Sequence, residues 1–348
     1  MNSGTILGFA TASSAASGVV PMPMDSHVIT SSMTYKAPVS GTLLIRAIAA
    51  DGSGGVSSGG CATGAGAGES ADKAVQVSAG DEYVITIGAG GAAVTRSTTG
   101  STNGNDGGDT AITGPNVAMT VKGGKGGKAG PVSAGTPLLG GLGGDGGTGG
   151  DVHRPGGRGG DIANCATQGA TGGGAVNFST TLTQAATRGG DVLGVPTGPY
   201  RTGGGGIRGR GGDLTAPAST SSSGGGAYGN AIDGANTAGT GGPNIIGQRT
   251  AGTVTLISAA ADPFGLDFAS GNGASSSNAA GNGGGGGGAD FTPGAFGGCG
   301  AVSGLAGVVQ ATTTPFYGAP SGYNIVSGTG TGLKGRDGVV FLRIYPRA

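Results

Sequence analysis

Short stretches of alternating apolar and polar residues occupy the first third of the chain and its C-terminal end. Residues 42–49 follow the turn sequence APVSG, and Leu43 and Ile45 share one face. The same period of two places further residues together: Val75 with Val77; Tyr83 with Ile85 and Ile87; Val117 with Met119 and Val121; Val340 with Leu342 and Ile344. With the stretch at 253–258, TVTLIS, this period predicts five or six β-strands.

The predicted strands lie on either side of a long region of glycine runs. No window has the apolar period of a helix, and a glycine inside a helix costs about 1 kcal/mol. We therefore predict a mainly β domain over residues 34–348 with almost no α-helix. Its antiparallel β-sandwich takes strands from residues 42–121 and 338–346, with the first and last strands as neighbours. Residues 1–33 are rich in Ser and Ala and predict an N-terminal arm for attachment.

Glycine is the main component of the inserted region, residues 122–335. The chain has 87 glycines among 348 residues, against a usual content of about 7%. Only 16 prolines are present, and the runs are irregularly spaced, which excludes a collagen-like repeat. Residues 140–151 read GGLGGDGGTGGD, with glycine at two of every three positions.

A polyproline II-type backbone explains this GGX period. Such a helix has about three residues per turn and no internal hydrogen bonds, so neighbouring helices can bond to each other through their backbones. Two crowded faces then require glycine, while the third face accepts any residue. The sequence predicts a bundle of six to eight polyglycine II-type helices.

Other glycine runs fit the same bundle. GGKGGK at 123–128 predicts a peripheral helix with Lys125 and Lys128 facing water, and GGGGGG at 283–288 suits a fully enclosed helix. Further candidates are GGRGGD at 156–161, GGGG at 203–206 and GGG at 224–226.

The tetrapeptide RGGD occurs three times, at residues 158–161, 188–191 and 210–213. The unequal spacing excludes a solenoid repeat of fixed length. Two interpretations are open: a recurring helix end whose Arg–Asp pairs form a ladder, or a recurrence that follows from composition alone.

Charge and cysteine content limit the partners. The 18 acidic and 18 basic residues balance, so we expect no nucleic-acid binding. The longest apolar runs have about five residues, far short of the ~20 of a membrane-spanning helix, and we expect no membrane insertion. Cys61, Cys165 and Cys299 are far apart and odd in number. They predict reduced thiols and synthesis in the cytoplasm.

The sequence holds no pattern typical of an enzyme. His27 and His153 are isolated, and His153 is expected in a surface loop. The cysteines have no metal-ligand spacing, and GVSSG at 55–59 precedes no helical pattern that a nucleophile elbow would need. We therefore expect no catalytic residue, metal or cofactor.

Aromatic residues between the glycine runs are the candidate binding residues. Helices of similar length bring their connecting loops together at the bundle ends, where rigid aromatic side chains suit recognition of a sugar or protein. The alternative is that these side chains shield the bundle ends from water. The candidates are Tyr200, Arg201, Phe264, Phe268, Phe316, Tyr317 and Tyr323.

The order of these motifs resembles the glycine-rich domain of tailed-phage appendage proteins. The matching stretches are YKAPVSGTLLIRAIAADGSGG, VSAGDEYVITIGAGG, GGDTAIT and the terminal GRDGVVFLRIYP, within residues 35–346. The resemblance implies a β-sandwich that carries a polyglycine helix bundle, whose distal loops bind the host receptor in some tail-fibre tip adhesins.

By this resemblance we expect a non-enzymatic virion protein, made in the bacterial cytoplasm, that presents loops for receptor binding. Its location stays open between tail fibre, tail tip and head fibre, and a homotrimer is one open alternative for its assembly. The implied partners are other virion proteins, through the N-terminal arm, and a host-surface glycan or outer-membrane protein. Two alternative functions are an ice-binding protein and a tailspike-type enzyme that degrades polysaccharide.

Overall fold

A computed structural model describes much of the first half of the chain and its C-terminal strand. The described residues are 24–57, 60–96, 100–131, 133, 135–166, 169–177, 188–194, 200–202, 205, 211, 213, 330–331 and 334–346. This part is all β or extended and contains no helix, as the hydrophobic pattern predicts.

Seventeen strands lie in the described residues. The longer ones are β1 (Asp25–Ile29), β2 (Met33–Lys36), β3 (Gly41–Ile48), β6 (Ser70–Val77), β7 (Glu82–Thr86), β10 (Thr110–Gly114), β11 (Val117–Val121), β13 (Val152–Arg154) and β17 (Val339–Pro346). Those of two residues are β4 (Val56–Ser57), β5 (Cys61–Ala62), β8 (Thr95–Arg96), β9 (Ser101–Thr102), β12 (Ala129–Gly130), β14 (Gly169–Ala170), β15 (Tyr200–Arg201) and β16 (Gly330–Thr331).

Two antiparallel sheets contain the longer strands. The five-stranded sheet has the order β1-β17-β3-β6-β13, and the four-stranded sheet has the order β11-β10-β7-β2. A smaller sheet, β12-β5-β14-β15, includes the parallel pairs β14 with β15 and β14 with β5. Two further pairs, β16-β8 and β4-β9, complete the described strands.

Strands β3 and β17 form the centre of the larger sheet. They pair along their full length, from Gly41 opposite Pro346 to Ile48 opposite Val339. The prediction that the first and last sequence-predicted strands are neighbours is therefore confirmed. Both faces of β17 are covered, because Leu342 lies in one apolar cluster and Phe341 in another.

One apolar cluster joins the two main sheets. It contains Leu43 and Ile45 from β3, Tyr83 and Ile85 from β7, and Met119 from β11, each at most 1% exposed. The alternation in β7 and β11 is the one that the sequence predicts, with outward residues exposed between buried ones.

The larger sheet begins inside the segment expected to be an arm. Strand β1 pairs with β17 from Asp25 opposite Ile344 to Ile29 opposite Val340, and Ile29 is buried in the cluster between the sheets. The predicted strand at 253–258 lies outside the described residues.

A disulfide joins Cys61 and Cys165 across 104 positions of sequence. Both are fully buried, in a cluster with Ile162 and Val192. The prediction of reduced thiols is therefore wrong for these two residues, because separation in sequence does not report distance in space. Pairing of β5 with β14 places Gly169, which follows Cys165 closely in sequence, opposite Cys61. Cys299 lies outside the described residues.

Candidate functional site

Extended glycine-rich stretches lie side by side next to the sheets. We call them the glycine segments: residues 50–57, 60–69, 87–94, 102–109, 122–130, 138–147, 155–162, 169–177, 188–193 and 334–338. Their backbone N–H groups donate mainly to carbonyl oxygens of other glycine segments.

These hydrogen bonds recur every three residues. Gly141 N donates to Gly64 O at 2.9 Å, and Gly144 N donates to Ala67 O at 2.8 Å, so both partners advance by three. The next segment runs antiparallel with the same interval, since Gly159 N donates to Gly141 O and Gly156 N to Gly144 O.

Segment 122–130 shows how completely the backbone is engaged. Every N–H from Lys122 to Ala129 has an acceptor outside the segment. In chain order the acceptors are Glu69 Oε2, Asp109 Oδ1, Ala50 O, Leu142 O, Asp106 Oδ1, Ser53 O, Thr63 Oγ1 and Asn103 Oδ1.

Glycine is required where these backbones meet. A Cβ on Gly66 would overlap Leu142 O, one on Gly141 would overlap Lys125 O, and one on Gly159 would overlap Gly64 O. The backbones therefore approach as closely as they do only because these residues have no side chain.

The third position of the GGX triplets faces outward in segments 122–130 and 138–147. Lys125, Lys128, Leu142 and Asp145 are exposed, while the glycines between them in residues 123–127 and 140–144 are buried. The period predicted for 140–151 ends at Asp145, however. Gly146 and Gly149 have φ of 83° and 78°, and Thr148 forms a β-bridge with Thr120.

The most enclosed described segments, 50–57 and 60–69, do not consist of glycine alone. Ala65 and Ala67 are fully buried in the second of them. They alternate with Gly64, Gly66 and Gly68, where a Cβ would overlap a neighbouring carbonyl. An enclosed segment thus requires glycine only at the points of contact. The run expected to be fully enclosed, 283–288, lies outside the described residues.

Acidic side chains bind the backbone of the adjacent segment. Asp106 Oδ1 accepts from Gly126 N at 2.9 Å, and its Oδ2 lies 2.9 Å from Lys125 Nζ. Asp109 accepts in the same way from Gly123 N and pairs with Lys122. Burial alone would raise the pKa of each carboxyl group, but the N–H donor and the lysine outweigh it and lower both pKa values.

The RGGD motifs form a ladder of the same kind. Asp161 Oδ1 lies 2.6 Å from Arg158 Nη2, and Asp161 Oδ2 lies 3.1 Å from Arg188 Nη2. Arg188 also pairs with Asp191. Asp161 N donates to Asp191 Oδ1 at 2.7 Å, and Asp191 N donates to Asp213 Oδ1 at 2.8 Å. The predicted ladder of Arg–Asp pairs is therefore confirmed for the first two motifs, as contacts between neighbouring glycine segments.

His153 lies in β13 and not in a surface loop. Its Nδ1 is 2.6 Å from Oε1 of the fully buried Glu69, and its Nε2 accepts from Gly150 N at 3.0 Å. An acceptor Nε2 requires a neutral imidazole with its proton on Nδ1. The ring therefore fixes the turn that follows segment 138–147, which is a structural role.

A buried ion pair that the sequence pattern does not indicate lies on the larger sheet. Arg46 contacts both carboxylate oxygens of Asp72, at 2.7 and 3.0 Å, and Arg154 Nη2 lies 2.7 Å from Asp72 Oδ2. Burial would raise the pKa of Asp72, but the two guanidinium groups outweigh burial and lower it. Arg46 stands opposite Asp72 in the β3–β6 register, a pairing that becomes visible only when the register is known.

Asp51 is a buried acid inside the glycine segments. Its Oδ1 accepts from Gly68 N at 2.7 Å, and its Oδ2 has no hydrogen-bond partner among the residues that the structure describes. Burial raises the pKa of Asp51 to about 7, against the opposing effects of the Gly68 N–H and Arg336.

The predicted binding residues are only partly placed. The backbone of Tyr200 and Arg201 forms β15, which pairs in parallel with β14. Phe264, Phe268, Phe316, Tyr317 and Tyr323 lie outside the described residues. Within the described part of the chain no cluster of three His, Cys, Asp or Glu residues could hold a metal ion, and this part contains no helix long and apolar enough to span a membrane.

Comparison with known proteins adds no assignment. Models of protein families give no match to this chain, and no curated protein matches it significantly.

Proposed function

We propose that the chain is a non-enzymatic structural protein of a tailed-phage virion that presents loops to a host-surface receptor. In this proposal a β-sandwich anchors a bundle of polyglycine II-type helices, and the bundle is a stiff support for the loops between its helices. The lateral backbone bonds at three-residue intervals carry the proposal.

The period of these bonds supports the proposed bundle. A β-strand presents every second residue to one neighbour, whereas a helix with three residues per turn presents every third. The bonds of Gly141 and Gly144 to Gly64 and Ala67 have the second interval. The proposed sandwich is supported by the apolar cluster to which both main sheets contribute.

Such a support suits the presentation of loops. Ordering one residue costs ~1–2 kcal/mol, and glycine loses the most freedom. Because each N–H from Lys122 to Ala129 already has a partner, a loop between two such segments starts and ends at fixed points. The loops then lose little conformational entropy when a receptor binds, because they are already ordered in the folded protein.

The first test is the location of the protein. Phage particles from the host of origin are purified, and the chain is sought in them by mass spectrometry and by antibody labelling in electron micrographs. We expect labelling at a tail fibre, tail tip or head fibre. Absence from particles that contain the other structural proteins would contradict the proposal.

The second test is receptor binding. Purified chain should compete with phage for adsorption to host cells, and the double variant Tyr200→Ala/Arg201→Ala should lose competition by about 30-fold, the effect of a typical interface hot spot. Lys128→Ala, at an exposed outward position of a glycine segment, is the matched control. Thermal hysteresis, or release of reducing ends from host polysaccharide, would support ice binding or an enzyme instead.

A further inference from the structure

Asp145–Gly146 differs from the other Asp–Gly and Asn–Gly pairs of the described chain. In such pairs the nitrogen of the glycine can attack the side-chain carbonyl carbon of the preceding residue, because glycine offers no steric hindrance. The described residues contain five of them: Asp51–Gly52, Asn103–Gly104, Asp106–Gly107, Asp145–Gly146 and Asp337–Gly338.

In four pairs the glycine N–H is bound to another segment. Gly52 N donates to Gly66 O at 3.1 Å. The other three, Gly104, Gly107 and Gly338, donate at 2.8 Å to carbonyl oxygens of Gly127, Gly124 and Gly88. Each preceding side chain is also held by a distant N–H, as Asp106 is by Gly126. Neither reacting group can turn toward the other without opening the backbone contacts.

In the fifth pair the two reacting groups already touch. Gly146 N donates to Asp145 Oδ1 at 2.8 Å, and no other acceptor for it is found in the described part of the chain. Both residues are exposed, and nothing lies within 4 Å of the place where a Cβ on Gly146 would be. The carboxyl group therefore stays beside the nitrogen in the folded protein.

We propose that Asp145 is a site of spontaneous isomerisation in the folded protein, and that the lateral hydrogen bonds of the glycine segments protect the other four pairs. Gly146 N bonds to Asp145 Cγ, the Cγ–O bond breaks, and the carboxyl oxygen leaves as water with the amide proton and one proton from the solvent, which gives a succinimide. Water then opens either ring carbonyl, and opening at the main-chain carbonyl gives isoaspartate. No oxidant, reductant or other reactant is required.

The product lengthens the backbone by one methylene at the start of a fixed turn. Two residues after Asp145, Gly147 N donates to the buried Glu69 Oε2 at 2.9 Å, and Thr148 exchanges two backbone bonds with Thr120. We expect isoaspartate at 145 to weaken these contacts. Because the product accumulates with time, the turn should become less stable as the protein ages.

The test follows all five pairs in one sample. The full chain is incubated at neutral pH and physiological temperature, digested under mildly acidic conditions, and its isoaspartyl peptides are quantified by mass spectrometry and by labelling with protein isoaspartyl methyltransferase. We expect isoaspartate at 145 to form at least about tenfold faster than at 106 or 337. A bound N–H reacts only after local opening, and each factor of ten in the open population corresponds to about 1.4 kcal/mol.

Two controls make the result decisive. In denaturant the difference between the four Asp–Gly pairs should disappear, because the protection depends on folding. Asp145→Glu should abolish the reaction at this position, since a Glu side chain forms the larger imide ring with difficulty. Equal rates at 145, 106 and 337 in the folded chain, or an unreactive Asp145, would overturn the proposal.

Discussion

At the scale of single residues, the structure depends on where a Cβ is tolerated. The glycine content of the sequence indicates that many positions exclude a side chain, but it does not show which ones. Gly66 faces Leu142 O and Gly143 N, and the nitrogen would lie 2.7 Å from an added Cβ. Gly130, also buried, has only the flexible end of Leu138 nearby, at 3.5 Å.

We predict that Gly66→Ala lowers the free energy of unfolding by about 3 kcal/mol or more, because overpacking against a backbone that is bonded on several sides cannot be relieved. Gly130→Ala should change it by less than about 1 kcal/mol, since the side chain that it meets can move. Urea denaturation of both variants measures the difference. Equal effects would mean that glycine is present for backbone freedom and not for close approach.

Asp51 gives the folded protein a dependence on pH between about 4 and 7. Its folded pKa is about 7 against an ordinary value of 3.8, so within this range the folded state binds a proton that the unfolded state has released. The free energy of unfolding should therefore fall as pH rises from 4 to 7, by at most about 4 kcal/mol from this group.

The variant Asp51→Asn tests this dependence, because its amide keeps an oxygen for Gly68 N but does not ionise. We expect the difference in stability between variant and wild type to move in favour of the variant as pH rises through this range, in denaturant titrations at several pH values. The lowered pKa of Asp72 acts in the opposite sense, since that contribution is lost only as pH falls below about 4. If the free energy of unfolding of the variant falls with pH as steeply as that of the wild type, a group other than Asp51 causes the pH dependence.

At the scale of elements, side chains of the outward positions join neighbouring glycine segments. Asp161 accepts from Gly140 N at 2.7 Å and contacts Arg158 and Arg188. Asp145 occupies the corresponding position of segment 138–147, and its carboxylate contacts only the adjacent N–H among the described residues.

We predict that Asp161→Ala lowers the free energy of unfolding by about 2–3 kcal/mol, because it removes the acceptor of Gly140 N–H, the carboxylate beside Arg158 and one of the two carboxylates that contact Arg188. Asp145→Ala should have an effect within about 0.5 kcal/mol. Thermal or urea denaturation distinguishes the two. A weak effect of Asp161→Ala would show that the ladder is a screened surface pairing that contributes little.

The period of two made β3, β6, β7, β11 and β17 predictable from the sequence, whereas β1, β2 and the two-residue strands were not predicted. The faces of β7, β11 and β17 follow from alternation alone, and the outward lysines of segment 122–130 follow from GGX. The Arg46–Asp72 pair, the disulfide and the role of His153 were not predictable, because each depends on which distant strands or segments become neighbours. Which segments become neighbours depends on how their backbones pack. Glycine has no side chain, so the sequence pattern of a glycine run does not indicate its neighbours.

At the scale of the whole molecule, the described chain is stabilised by two different means. The sheets bury apolar side chains in a common cluster, whereas the glycine segments depend on backbone hydrogen bonds between stretches far apart in sequence. Residues such as Ala67 and Val176 connect the two, since they lie in a cluster with Phe341 of β17. The glycine segments therefore have a folded surface on which to assemble, which short glycine helices would lack in isolation.

Amide hydrogen exchange tests this picture of the whole molecule. A disordered glycine-rich chain exchanges quickly, and an amide of a buried, hydrogen-bonded segment exchanges only when that segment opens. We predict slow exchange for consecutive amides from Lys122 to Ala129, because each has an acceptor on another part of the chain, although the stretch up to Lys128 belongs to no strand. Gly146, whose N–H contacts only the exposed Asp145 within the described part of the chain, should exchange much faster. Segment 122–130 and the strands β3 and β17 should also lose protection together in rising denaturant, because the segment bonds to residues 50–53, which directly follow β3. Protection that is lost from the glycine segments well before the sheets would mean that the two parts fold separately, and the stiff support in the proposed function would then be absent under mild conditions.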